Sequence, residues 1–212
     1  MSPISPISPM MIKVCGMRDA DNIRAAEALG IDLMGFIFWP KSSRYVSEKP
    51  AYLPTQCRRV GVFVDAAIDD IRQHVEDYAL DVIQLHGKET PAYIQALRSL
   101  YGNSIAIIKA FNIATAEDLQ QTACYEGHAD YFLFDTKAQQ VGGNGTKFDW
   151  TVLASYACET PFLLSGGISP NDVEQVQAFH HPLLAGIDLN SRFELAPGLK
   201  DIQQLKTFIK AL

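Results

Sequence analysis

A cysteine closes the first apolar run of the chain, in Met11-Ile12-Lys13-Val14-Cys15-Gly16, and Asp19 follows where a helix can start. A thiol in that place stands at the carboxyl end of a strand, the side of an α/β fold where ligands bind. It also precedes a helix N-terminus, whose partial positive charge favours thiolate. Thiolate is a base or a nucleophile, and a buried, inert cysteine is the competing reading. Phe134-Asp135-Thr136 sets a carboxyl in the same place on a later run. A long glycine-rich stretch follows, through Gly142-Gly143-Asn144-Gly145, of the kind that forms lids and binding loops. Capping the next segment is the lesser role for that aspartate. Cys15 and Asp135 thus form a candidate acid–base pair. Near neutral pH such a pair needs a thiol brought below its usual ~8.5 and a carboxyl lifted above ~3.9, which a helix N-terminus and burial can supply.

Ser165-Gly166-Gly167-Ile168-Ser169 and Gly186-Ile187-Asp188-Leu189-Asn190-Ser191 follow the last two apolar runs. Two glycines let backbone approach a ligand, and paired loops of this kind form phosphate sites from N–H groups and a helix N-terminus. By itself Gly166-Gly167 is no more than a tight turn. Gly143, Gly166, Gly167, Asn190 and Ser191 are the candidate phosphate ligands. Arg44, in Lys41-Ser42-Ser43-Arg44-Tyr45-Val46, is built to fork onto a carboxylate or phosphate, or lies solvated on its loop. His86, in Gln84-Leu85-His86-Gly87, is a ligand contact, a proton donor or a hydrogen-bonded structural residue. Asp188 either holds substrate hydroxyls or orients the eighth loop.

What must position these groups is an alternation of strands and helices. Strand-like runs fall at 11–15, 33–39, 60–64, 82–85, 105–110, 131–134, 162–164 and 183–189, short and apolar on both faces as buried parallel strands are. Between them Ile68, Ile71, Val75 and Tyr78 recur at helical spacing. So do Ile94, Leu97 and Leu100, then Val173 and Val176, then Ile202, Leu205, Ile209 and Leu212. Asp19, Thr90, Thr115 and Ser169 stand at N-cap positions, Pro91 and Pro170 suit the first helical turn, and Thr115-Ala116-Glu117-Asp118 has a capping-box pattern. Eight strand–helix units in about 200 residues predict a single-domain (β/α)₈ TIM barrel over residues 11–212. An open doubly wound sheet is the alternative, but no glycine-rich dinucleotide fingerprint follows the first run.

The composition agrees, with 212 residues, 48% of them hydrophobic, and a net charge of -6. An acidic chain argues against nucleic acid or an anionic membrane as partner. No apolar run reaches membrane-spanning length. The four cysteines, Cys15, Cys57, Cys124 and Cys158, form no Cys-x-x-Cys pair, so a zinc site is not expected and reduced thiols in the cytoplasm are. The leader, residues 1–10, repeats Ser-Pro-Ile without the pattern of a signal peptide and reads as flexible.

In order along the chain, six segments resemble phosphoribosylanthranilate isomerase. They are Lys13-Val14-Cys15-Gly16-Met17; Gly35-Phe36-Ile37-Phe38 with Ser42-Ser43-Arg44-Tyr45-Val46; Val60-Gly61-Val62-Phe63-Val64; Gln84-Leu85-His86-Gly87; Phe134-Asp135 with Gly142 to Trp150; and Leu164-Ser165-Gly166-Gly167-Ile168. The resemblance implies the Amadori rearrangement of N-(5-phosphoribosyl)anthranilate to 1-(2-carboxyphenylamino)-1-deoxyribulose 5-phosphate, in tryptophan biosynthesis. It implies no cofactor and no metal, and a monomer or homodimer. Cys15 maps onto the family's general base, Asp135 onto its general acid, and Arg44 onto the arginine that meets the anthranilate moiety.

One departure stands in the eighth loop. Where the family often reads Asp-x-Ser-Ser-Gly-x-Glu, this chain has Asp188-Leu189-Asn190-Ser191-Arg192-Phe193-Glu194. Arg192 either restricts the backbone, adds a phosphate contact or points to solvent. Other phosphate-handling barrels compete less well. An indole-glycerol-phosphate synthase needs a catalytic lysine and glutamates at strand ends, and a sugar-phosphate epimerase wants several metal-binding histidines where only His86 qualifies. A dual-substrate isomerase stays among the alternatives, as does a non-catalytic phosphate-binding scaffold.

Overall fold

The computed structural model describes residues 10–136 and 150–212. The expected leader, Met10 apart, and the glycine-rich stretch with Gly143 lie outside the described residues. Eight parallel strands close into a barrel in sequence order: β1 (Met11–Cys15), β2 (Leu33–Ile37), β3 (Arg58–Phe63), β4 (Val82–Leu85), β5 (Ala106–Ile113), β6 (Tyr131–Thr136), β7 (Phe162–Ser165) and β8 (Leu184–Leu189). β8 pairs with β1 and completes the ring. The expected barrel is the observed one.

Side-chain alternation sorts the residues into two cores. Leu33, Val60, Val62, Val82, Ile108, Ala110, Leu133 and Leu163 fill the barrel interior together with Cys15. Val14, Met34, Phe36, Ile83, Phe132, Phe134, Leu164 and Ile187 form the outer core under the helices. Lys13, Gln84, Asp135 and Ser165 sit two residues from Cys15, Val82, Leu133 and Leu163 on the same strands. Parity therefore aims these polar groups inward, near the carboxyl ends.

Among the described residues the outer layer is thinner than eight helices. It holds α1 (Ala20–Glu27), α2 (Ile68–Tyr78), α3 (Pro91–Tyr101), α4 (Val173–Ala178) and α5 (Ile202–Ala211). The second unit has no helix: Pro40, Pro50 and Pro54 break the segment after β2, which makes one bridge, Ile37 to Tyr45. After β5 and β6 come 3₁₀ helices, Glu117–Tyr125 and Trp150–Ser155. Their buried pairs, Leu119 with Thr122 and Trp150 with Leu153, are three residues apart, the repeat of a 3₁₀ turn.

The start signals divide. Asp19 and Thr90 cap α1 and α3 as expected, accepting from Asn22 and Tyr93 N–H groups, with Pro91 in the first turn. Asp118 reaches back to the Thr115 N–H, half of the capping box, though the cap residue itself is Ala116. Ser169 is not a cap. Its N–H and hydroxyl both go to the Asp172 carboxylate, so Pro170 lies in a turn and α4 starts at Val173. A hairpin that the sequence reading did not expect, β9 (Glu194–Ala196) with β10 (Leu199–Lys200), follows the eighth strand. Among the described residues no helix is long and apolar enough to cross a membrane.

Candidate active site

Cys15 ends β1 directly across from Gly35 of β2. A Cβ on Gly35 would lie 2.7 Å from the Cys15 Sγ, so the glycine makes room for the thiol. The helix expected to favour thiolate has its N-terminus capped from within the chain. Asp19 caps α1 with its own carboxylate, while Gly16 and Met17 turn their N–H groups to Gly35 O. Burial instead pushes the thiol above its ordinary range, Lys13 opposes that push, Asp188 adds to it, and Lys200 opposes it. The cations whose charge reaches the thiol are Arg44, Lys13 and Lys200, and the two lysines were not among the expected site residues.

Lys13 is fully buried, and its ammonium lies 2.9 Å from Asp188 Oδ1. Ser165 Oγ donates to the other carboxylate oxygen at 3.3 Å. Asp188 is thus engaged on both oxygens, by Lys13 of β1 and Ser165 of β7. The signal for Lys13 was in the sequence: a lysine two residues before a candidate catalytic group, in a strand apolar on both faces, needs a buried partner.

Asp135 belongs to β6 itself rather than to the loop after it, paired with Asn112 and Ser165. His86 Nε2 stands 3.6 Å from Asp135 Oδ2, within ion-pair range and beyond hydrogen-bond range. The Gln84 side-chain amide nitrogen lies 3.2 Å from His86 Nδ1. As donor it makes Nδ1 the acceptor and leaves the ring proton on Nε2, toward Asp135. Among the described residues Gln84 Oε1 is buried with no partner, an acceptor at the cavity wall. The loop carrying His86 is tied down by Glu89, which accepts from the Asp65 and Gly87 N–H groups and from the buried Lys109.

Arg44 is not solvated. Its Nε donates to Glu194 at 2.8 and 3.0 Å, and its Nη2 at 2.6 Å. Glu194 also takes Lys200 Nζ at 2.6 Å, and Lys200 reaches Asn190 Oδ1 at 2.7 Å. Burial tends to raise the Glu194 carboxyl, but the bonds from Arg44 and Lys200 hold it below the usual carboxylate range. Glu194 is the final Glu of the eighth-loop motif, whose place in the string does not reveal this role. Lys200 carried no local signal at all.

The two glycines of the seventh loop differ in purpose. Both have positive φ, +92° and +70°. A Cβ at Gly166 would run into the backbone of Thr136, so this glycine serves contact between β6 and the loop. Among the described residues a Cβ at Gly167 would meet open space, leaving its backbone accessible to a ligand. Cys15, Arg44, Gln84, His86, Asp135, Gly166, Gly167, Asp188, Asn190 and Ser191 all line one cavity at the carboxyl ends of the strands. Arg192 is exposed and not part of that lining, which favours the solvent-facing option.

Comparison with known proteins gives this mouth a context. The family model described as N-(5'phosphoribosyl)anthranilate (PRA) isomerase matches residues 12–211. N-(5'-phosphoribosyl)anthranilate isomerase of Phocaeicola vulgatus is 51% identical, over 96% of this chain and 98% of the relative. That of Parabacteroides distasonis is 48% identical, over 96% and 93%. Among solved structures, phosphoribosyl anthranilate isomerase from Thermotoga maritima superposes with a TM-score of 0.77 at 29% identity, covering 95% of this chain and 98% of that one. Another, in complex with reduced 1-(o-carboxyphenylamino)-1-deoxyribulose 5-phosphate, gives 0.76 at 27%, covering 95% and 97%. The match spans every strand that carries a residue of the mouth cavity, and the chain belongs to the N-(5'-phosphoribosyl)anthranilate isomerase family.

Proposed function

We propose that the mouth cavity carries out the family's reaction, the Amadori rearrangement of N-(5'-phosphoribosyl)anthranilate in tryptophan biosynthesis, with Asp135 as general acid and Cys15 as general base. Asp135 protonates the furanose ring oxygen, and the ring opens to a Schiff base. Cys15 thiolate removes the C2 proton, giving an enolamine that tautomerises to the ketone. Each group, positioned as acid or base, contributes about 10²–10⁴-fold. The observation that carries this reading is that both groups line one cavity with Arg44 and the seventh and eighth loops.

The remaining residues take roles from their surroundings. Gly167, Ser191 and Asn190 face the phosphate, with Gly166 setting the loop. Arg44 meets the anthranilate carboxylate. His86 donates toward Asp135 or a substrate oxygen through Nε2–H. Asp188 works through Lys13, which faces the thiol from two residues away on β1 and favours its thiolate form. The substrate's phosphate end, far from the reacting carbon, holds the sugar in register for both proton transfers. The substrate is a phosphorylated small molecule and the site calls for no cofactor. Four free cysteines suit the cytoplasm.

Loss of anthranilate-type fluorescence from freshly made phosphoribosylanthranilate tests the assignment. Purified protein should turn over, and Cys15→Ser and Asp135→Asn should each lose at least ~10²-fold in kcat. Full activity in Cys15→Ser removes the base role, and full activity in Asp135→Asn removes the acid role.

A further inference from the structure

The second and eighth loops are joined by a chain of buried charges. Lys200 sends its ammonium two ways, to Asn190 Oδ1 and to Glu194 Oε1. Glu194 in turn grips Arg44 and also accepts the Gly198 N–H at 3.1 Å. The Lys200 side chain is 0% exposed and that of Glu194 5%, so neither can turn away without stranding a charge in a dry place. The backbone of Lys200 is itself fixed. Its N–H donates to Asn22 Oδ1 at 2.8 Å, and its carbonyl accepts from Asn22 Nδ2 at 2.9 Å.

Gly16 lies beneath the two ends of this chain. A Cβ there would stand 2.7 Å from Arg44 Cδ and 3.0 Å from Asn190 Oδ1. Arg44 and Asn190 therefore approach each other over bare backbone, on a residue whose φ of +80° itself suits glycine. Glu194 occupies the Nε edge of the guanidinium. Among the described residues the Nη1 side has only a long contact, 3.5 Å to Ser43 Oγ, and Arg44 lines the cavity. A guanidinium has five donors, so a second carboxylate can be served by the edge that Glu194 leaves.

We propose that Glu194 and Lys200 are positioning residues that hold the outer edge of Arg44 and the side chain of Asn190 at one fixed separation. The site then recognises the distance between two anions of the substrate, a ring carboxylate and a phosphate. This rests on the reading above, in which Arg44 meets the carboxylate and the eighth loop the phosphate. Neither positioning residue touches substrate.

The test compares two ligands by titration calorimetry: reduced 1-(o-carboxyphenylamino)-1-deoxyribulose 5-phosphate and its counterpart lacking the ring carboxylate. The ratio of their dissociation constants measures what the carboxylate contributes. Arg44→Met should bring that ratio close to one. Glu194→Gln should lower it about tenfold or more, the scale of a charge-assisted hydrogen bond, with no further loss in the double variant. Lys200→Met should lower the ratio and also weaken the ligand without the carboxylate, through Asn190. A merely structural role would weaken both ligands alike and leave the ratio at its wild-type value, and that result in Glu194→Gln, with the ratio collapsed in Arg44→Met, overturns the positioning proposal alone. An unchanged ratio in Arg44→Met removes the carboxylate reading and the proposal with it. Glu194→Asp, which keeps the charge but shortens the reach, provides the same comparison if the glutamine variant does not fold.

Discussion

Lys13 and Asp188 are register partners across the seam where the first strand meets the last. Their 2.9 Å ion pair therefore has two effects. It joins the strands that complete the barrel, and it fixes a cation two residues from Cys15 on the same inward face. A buried pair of this kind adds little net stability over a well-packed apolar pair, yet breaking it leaves a stranded charge. Its presence beside the thiol is better explained by what it does to the thiol.

Replacing Lys13 by Met should cost about 3–5 kcal/mol of stability, because Asp188 is left buried and uncompensated. Lys13→Met/Asp188→Leu should recover much of that loss but not the activity. Urea melts and kcat for the two variants separate the effects. Recovery of wild-type kcat in the double variant is inconsistent with a role for Lys13 at the thiol.

The thiol itself should titrate high. Burial raises it, Lys13 opposes, Asp188 raises it further and Lys200 opposes; Arg44, whose charge also meets that of the thiolate, lines the same cavity, as do Asp135 and His86. A base whose folded pKa is raised is mostly protonated at neutral pH, so the thiolate fraction grows tenfold per pH unit below that pKa. The limb of kcat/KM set by Cys15 should therefore keep rising with pH through 7 and 8, without levelling in the ordinary thiol range near ~8.5. The 240 nm absorbance of thiolate, measured against Cys15→Ser, checks the assignment directly. A plateau below pH 8 counts against it.

Gly35 offers a steric test. Gly35→Ala would place a methyl 2.7 Å from the Cys15 Sγ and 3.2 Å from its Cβ. The crowding should cost about 1–3 kcal/mol in stability. The larger effect should be on kcat, about 10²-fold for a catalytic group moved by an ångström. Wild-type kcat in a folded Gly35→Ala protein would show that the thiol does not need that place.

These relationships explain how much the sequence could tell. The barrel was legible because eight short apolar runs with helical signals between them leave little choice of topology. Cys15 and Asp135 could be placed because each stands near a strand's carboxyl end, and Arg44 because it lies in the loop after β2, all within recognisable strings. Lys13 was visible in the same string, but its meaning required Asp188, 175 positions away and brought adjacent only by barrel closure. Lys200 lies in a hairpin that no pattern announced, and its partners Asn190 and Glu194 come together through the turn at Ser191–Phe193. The missing helix after β2 was the opposite case. Three prolines interrupt that segment, and only the expectation of regular alternation put a helix there.

Glu194 makes the acid side of the molecule testable. Burial pushes its carboxyl up, but hydrogen bonds from Arg44 and Lys200, the charge of Lys200 and the Gly198 N–H pull it below the usual range. A carboxyl whose folded pKa is depressed contributes stability that is fully present above its unfolded pKa, ~4.3, and lost as pH falls through the folded value. The stability gap between wild type and Glu194→Gln should therefore be constant from pH 6 to 7.5 and narrow as the pH drops below ~4.3. Urea midpoints taken across that range decide the matter. A gap that widens on acidification would falsify the depressed carboxyl, and with it the view that Glu194 stands ionised between Arg44 and Lys200.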